Sequence, residues 1–213
     1  MTKVNETSLS FIHRFEPGTV PGRAPLLLLH GTGGDENDLI GFGQMIAPGA
    51  ALLSPRGKVL EAGMPRFFRR LREGVFDEED VRARAGELAE FVAAARVAYD
   101  LPAPIAVGFS NGANIAAATL LTRPGTFAGA VLLRAMVPLA EPPVAQLAAT
   151  PVLMLSGSMD PIVPEENAAR LAAQLAVAGA QVEHRVLPAA HGLSQADGTL
   201  ARRFLAEHPA AAA

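Results

Sequence analysis

Short, almost continuously apolar runs alternate along this 213-residue chain with longer segments in which apolar residues recur every third or fourth position. The short runs read as strands at Leu9–Phe15, Leu26–Leu29, Ala50–Leu53, Ile105–Phe109, Ala130–Leu133, Val152–Leu155 and Val182–Leu187. Runs apolar at every position suit strands covered on both faces, whereas Leu9–Phe15 alternates, with Ser10 and His13 among apolar neighbours, and suits an antiparallel edge. The longer segments predict helices over Asp77–Tyr99, Asn111–Leu121, Glu165–Ala178 and Gly192–Glu207. In the first of these, Leu88, Phe91, Val92 and Ala95 form a core-facing stripe. Strand alternating with helix implies an α/β fold: a mostly parallel, twisted sheet of about seven strands with helices on both faces. No repeat and no long linker divides the chain, so residues 1–213 are expected to form one domain, with Ala210–Ala213 as a frayed end.

Composition narrows the chemistry. The chain has no cysteine, which excludes disulfides, thiolate metal ligands and a cysteine nucleophile. Charge is nearly balanced, with 18 Lys and Arg against 21 Asp and Glu, and the basic stretch Arg66–Arg72 is interrupted by Phe67 and Phe68. Nucleic-acid binding is therefore not expected. The first ten residues, Met1–Ser10, are polar and lack the apolar core of a signal peptide, and no apolar run is long enough to span a bilayer. These features lead to the expectation of a cytoplasmic protein without membrane insertion.

The most informative motif is Gly108-Phe109-Ser110-Asn111-Gly112, between an apolar strand and a helix of small residues. A serine on so tight a strand-to-helix turn adopts strained backbone angles, and glycines two residues to either side remove side chains that would collide. The hydroxyl is presented above the sheet at the positive end of the following helix. A serine needs a base, and the base needs an orienting carboxylate. Of five histidines, His191 follows the last strand in Pro188-Ala189-Ala190-His191-Gly192, at the carboxyl edge where Ser110 also sits. His13 and His184 lie within strands, and His208 in the tail.

Asp160, in Ser156-Gly157-Ser158-Met159-Asp160-Pro161, follows the strand before. It either caps that proline-rich turn or orients His191, and the order Ser, Asp, His, each after a separate strand, favours the second role. Glu165, Glu166 and Asp197 are weaker rivals, being explained by the helices they begin.

His30-Gly31-Thr32-Gly33-Gly34-Asp35-Glu36-Asn37-Asp38 leaves another strand as a glycine-rich loop. Its Thr32 amide and that of Asn111 are the expected oxyanion donors. A phosphate-binding loop would need a lysine and a hydroxyl residue that are absent. His30 is expected to prop the loop, while Asp35 and Asp38 cap rather than bind metal; neither metal nor cofactor is expected. Between Arg56 and Phe76, a loop at the sheet's carboxyl edge carries Met64, Phe67, Phe68 and Phe76, which either line a substrate pocket or pack beneath the loop. Arg66, Arg69 and Arg70 there either bind an anionic substrate group or face water.

Taken together, the four motifs resemble, in content and order, the phospholipase/carboxylesterase branch of the α/β-hydrolases, and the likeness covers nearly the whole chain. The first loop and Gly63-Met64-Pro65-Arg66-Phe67-Phe68 look most like bacterial members similar to hydroquinone-associated hydrolases. Asparagine after the serine, and the lack of a leucine in the first loop, depart from the acyl-protein thioesterase pattern. The elements follow one another with little spare length, so no lid domain is expected, and the resemblance implies an α/β-hydrolase fold and a serine carboxylesterase acting on a small-molecule ester. It also implies the frequent homodimerisation of the family. A thioesterase or lysophospholipase with the same residues, and a non-catalytic ligand-binding homologue, are the alternatives.

Overall fold

The computed structural model describes residues 9–208; the alanine run Ala210–Ala213 and most of the polar segment Met1–Ser10 lie outside them. A seven-stranded sheet carries the fold in the order β1-β3-β2-β8-β9-β10-β11. Its members are β1 (His13–Glu16), β2 (Leu26–Leu29), β3 (Leu52–Pro55), β8 (Ile105–Phe109), β9 (Gly129–Leu133), β10 (Pro151–Gly157) and β11 (Gln181–Leu187). All neighbours pair in parallel except β1, which runs antiparallel to β3 at the edge. This is the mostly parallel, seven-stranded arrangement expected from the pattern.

Why the central strands are apolar throughout is visible in β2. Leu27 and Leu29 enter one core with Val81, Leu88, Phe91 and Val92 of helix α2 (Glu78–Tyr99), with α3 (Asn111–Thr122), and with Leu171 and Leu175 of α4 (Glu165–Val177). Leu26 and Leu28 enter a second core with Ile40 and Ile46 of α1 (Ile40–Ile46) and Ala201 and Phe204 of α5 (Gln195–Glu207). Alternate side chains of a strand point to opposite faces, so a strand covered on both sides cannot alternate with polar residues. Fully burying each such leucine contributes about 1.5–3 kcal/mol. Among the described residues no helix is long and apolar enough to cross a membrane.

Several boundaries differ from the sequence pattern. The first strand begins at His13 rather than Leu9, because its ladder lasts only from His13 opposite Pro55 to Glu16 opposite Leu52. β3 runs two residues beyond the apolar stretch, since Ser54 is buried and its hydroxyl donates to the Leu28 carbonyl at 3.4 Å. The last helix starts at Gln195 rather than Gly192: Ser194 and Asp197 form a reciprocal capping box that sets the boundary. Helix α1 escapes a propensity reading because two of its seven residues are glycine; a side chain at Gly43 would come within 2.9 Å of Leu28.

The Arg56–Phe76 segment is also more ordered than a loop. It holds two antiparallel ribbons, β4 (Val59–Glu61) with β5 (Met64–Arg66), and β6 (Arg70–Arg72) with β7 (Val75–Phe76). Both are too short for alternation to register in the sequence.

Candidate active site

Ser110 occupies the turn between β8 and α3 with φ 51° and ψ −114°. A non-glycine residue held there stores about 1–3 kcal/mol, so its surroundings must impose the conformation. Two contacts do so: the Ser110 amide donates to the Leu133 carbonyl at 2.8 Å, and its carbonyl accepts from the Asn114 amide at 2.9 Å. The flanking glycines are equally constrained. A Cβ on Gly108 would lie 2.5 Å from the Gly112 oxygen, and one on Gly112 would lie 1.9 Å from the Leu29 oxygen.

His191 Nε2 lies 3.0 Å from Ser110 Oγ, and its Nδ1 lies 2.8 Å from Asp160 Oδ2. A carboxylate only accepts, so Nδ1 carries the proton and Nε2 presents a lone pair to the serine hydroxyl. Asp160 has a fully buried side chain, and its other oxygen accepts from the Ile162 and Val163 amides at 2.8 and 3.1 Å. It thus caps its turn and faces His191 with different oxygens. The two loops touch at backbone level: a Cβ on Gly157 would meet the Ala189 oxygen at 2.2 Å.

A buried arginine fastens the histidine loop. Arg134, just past β9, is inaccessible to solvent and has φ 56°. Its Nε donates to the Ala190 carbonyl at 3.0 Å and its Nη2 to the Gly192 carbonyl at 3.2 Å, so it holds both neighbours of His191. Nη1 donates to the Leu155 carbonyl, and Nη1 and Nη2 form a fork on Asp197 at 2.8 and 2.9 Å. Asp197 Oδ2 also accepts from the Ser194 amide and hydroxyl. Asp197 thus has a partner of its own and stands outside the His191 pair.

The glycine-rich loop is anchored from below. His30 Nδ1 donates to the Gly31 carbonyl at 2.6 Å and its Nε2 accepts from the Gly57 amide at 3.0 Å, which fixes a neutral tautomer. Burial holds its pKa below the ordinary 6.5, against the raising influence of the Gly31 carbonyl and of Asp38, Asp35 and Glu36. Strand β5 docks on the loop: Gly33 donates to the Pro65 carbonyl at 2.9 Å, and Arg66 Nη1 donates to Thr32 Oγ1 at 2.7 Å.

A cleft of about 250 Å³ opens over Ser110 and His191, lined by the uncharged Thr32, Asn111, Phe76, Phe109, Met136 and Ile162 and by Arg66 and Arg70. The structure thus gathers Thr32, Asn111 and Phe76 around the serine. It does not bring Met64, Phe67 or Phe68 into the wall. Phe67 is 3% exposed against the His30 ring, and Phe68 is fully buried with its ring edge-on to Phe76, because the chain after β5 turns both into the core. Met64 is exposed beside Gly33.

The three arginines separate as well. Arg69 is exposed and paired with Asp77 and Asp80, Arg70 pairs with Glu61, and Arg66 is buried in the cleft wall. Sequence reasoning did not single out Arg134, Met136 or Asn114. The available signals were a charged residue directly after an all-apolar strand and the Ser194-x-x-Asp197 box.

Asn111 shows a further link. Its Oδ1 accepts from the Phe67 amide at 2.7 Å, tying the serine turn to the ribbon segment. Among the described residues no group of three His, Asp or Glu side chains is placed to hold a metal ion.

Comparison with known proteins agrees with this architecture. MhqD of Bacillus subtilis (strain 168) is 43% identical over 197 residues, covering 92% of this chain and 98% of that protein. The crystal structure of a Bacillus cereus carboxylesterase superposes with a TM-score of 0.91 at 39% identity, over 94% of this chain and 96% of that one. A carboxylesterase from Mesorhizobium loti gives 0.89 at 31% identity, over 94% and 96%. The family model for phospholipases and carboxylesterases matches residues 12–208, nearly the whole described chain. The protein belongs to the phospholipase/carboxylesterase family of α/β-hydrolases.

Proposed function

We propose that the protein is a serine carboxylesterase that cleaves small to medium carboxylic esters through an acyl-enzyme. The observation that carries this reading is the continuous line Asp160, His191, Ser110, with spacings of 2.8 and 3.0 Å ending on a serine in a strained turn. His191 takes the proton as Ser110 Oγ bonds to the ester carbonyl carbon. The same proton then passes to the departing alkoxide as the acyl–oxygen bond breaks. Water, deprotonated by His191, attacks the acyl-serine and frees the acid. Asp160 keeps Nδ1 protonated and stabilises the imidazolium.

Thr32 and Asn111 main-chain amides receive the developing oxyanion, Asn111 from the first turn of α3, whose partial positive charge assists. The size of the cleft favours short acyl and alcohol groups over lipid chains. The test is steady-state hydrolysis of p-nitrophenyl acetate by the wild type, Ser110→Ala and His191→Ala. Each variant is expected to lose roughly 10⁴-fold or more in kcat, as such groups act as a unit. A Ser110→Ala protein that retains turnover would refute the proposal.

A further inference from the structure

The wall of the cleft contains a charge that the protein only partly answers. The Arg66 side chain is 4% exposed. Its Nη1 donates to Thr32 Oγ1 at 2.7 Å and its Nε to the Phe68 carbonyl at 3.2 Å. Its nearest carboxylate is Glu61, at 3.4 Å from Nε, and Glu61 is already engaged by Arg70 at 2.6 Å. Two guanidiniums therefore share one carboxylate. Among the described residues, no acceptor is found for Arg66 Nη2. Glu73, the remaining acid at the cleft, is exposed on the turn between β6 and β7, where water screens it. Burial pushes the Arg66 guanidinium below its ordinary value, Glu61 opposes this and Arg70 adds to it.

A buried cation is normally paired, because losing its hydration is costly. Arg66 and Arg70 face the same cavity as Ser110 and His191, and Arg66 is bonded to the side chain of Thr32 in the glycine-rich loop. An anionic group entering with the ester would complete the hydrogen bonding of Arg66 and supply the missing negative charge. Guanidinium suits a carboxylate because it offers a planar fork of donors. The same cleft is also lined by Phe76, Phe109, Met136 and Ile162, whose apolar surface accommodates a short carbon skeleton.

We infer that this esterase selects esters that carry a free carboxylate, such as monoesters of short dicarboxylic acids, with Arg66 as the principal carboxylate-binding residue and Arg70 beside it. The inference rests on the esterase reading above.

Monoethyl succinate and its uncharged isostere ethyl succinamate separate the two ideas. The wild type is expected to favour the charged ester in kcat/KM by about tenfold or more, the range for a hydrogen bond to a charged group. That ratio should fall towards one in Arg66→Met and be partly kept in Arg66→Lys. A wild-type ratio at or below one, or a ratio unchanged in Arg66→Met, would overturn the carboxylate site while leaving the esterase intact. Failure to hydrolyse either ester or p-nitrophenyl acetate would overturn both.

A binding measurement on the wild type needs no variant to fold. Succinate should inhibit p-nitrophenyl acetate hydrolysis competitively, at least about tenfold more tightly than succinamide, on the same energetic grounds. Equal inhibition by the two would count against the site.

Discussion

Two buried arginines lie at the carboxyl edge of the same sheet, and they differ in how completely the protein satisfies them. Arg134, behind the histidine loop, has an acceptor for each of its five N–H groups: three backbone carbonyls and the two oxygens of Asp197, with neither side chain of the pair exposed. Arg66, in the cleft wall, has a hydroxyl, a carbonyl and a share of Glu61. A buried ion that is closed off acts as a fastener and cannot respond to a ligand. One left partly open in the same cleft as Ser110 retains donors for an incoming group. The completeness of its hydrogen bonding therefore distinguishes a structural charge from a recognition charge better than burial does.

The largest effect is expected at Arg134. Replacing it with methionine strands Asp197 in the interior, and chemical denaturation should show a loss of about 3–5 kcal/mol. Arg134→Met combined with Asp197→Leu should recover much of that loss, since an apolar pair of similar volume is often nearly neutral. The double variant should still lose kcat more than KM, because nothing then grips the carbonyls on either side of His191. Full activity in that variant would show that the fastener does not position the histidine.

Arg66→Met should cost less in stability, about 1–2 kcal/mol by the same denaturation, because fewer protein partners are stranded. A loss equal to that of Arg134→Met would mean that the two arginines are equally bound into the fold. Thr32→Val keeps the amide of Thr32 but removes the oxygen that receives Arg66 Nη1. It should cost about 1 kcal/mol and roughly fivefold in kcat/KM, read from ester kinetics.

The smallest effect concerns His30, whose pKa is held below 6.5 by burial. The unfolded chain then binds a proton that the folded one refuses. This contribution to stability is full above pH 6.5 and declines as pH falls through 6.5 towards the lower folded value. His184, also depressed by burial, adds a slope of the same sign. Denaturation midpoints measured from pH 7.5 down to 5 should therefore fall less steeply for His30→Gln than for the wild type, without becoming flat.

Much of this was legible in the chain. The mostly parallel sheet and its two-sided core follow from runs such as Leu26–Leu29, and Ser110, Asp160 and His191 each fall after a separate strand, at ends that a parallel sheet must bring to one edge. What stayed hidden depends on direction rather than order. Phe67 and Phe68 share their segment with Arg66, and only the turn after β5 decides that the rings go into the core while Arg66 faces the cleft. Arg134 and Asp197 are 63 residues apart and carry no spacing signal, since the sheet and α5 alone bring them together. The short ribbon of β4 and β5 is held partly by the glycine-rich loop on which β5 docks, so its own residues do not announce it.

The claim on which everything else depends is that Ser110 becomes covalently acylated. Rapid acid quench of the protein with p-nitrophenyl acetate, followed by proteolysis and mass spectrometry, tests it directly. An acetyl adduct on the peptide containing Ser110, accumulating within the first turnover and absent from Ser110→Ala, is the expected result. Multiple turnovers with no adduct at Ser110, or an adduct at another residue that persists in Ser110→Ala, would contradict the account.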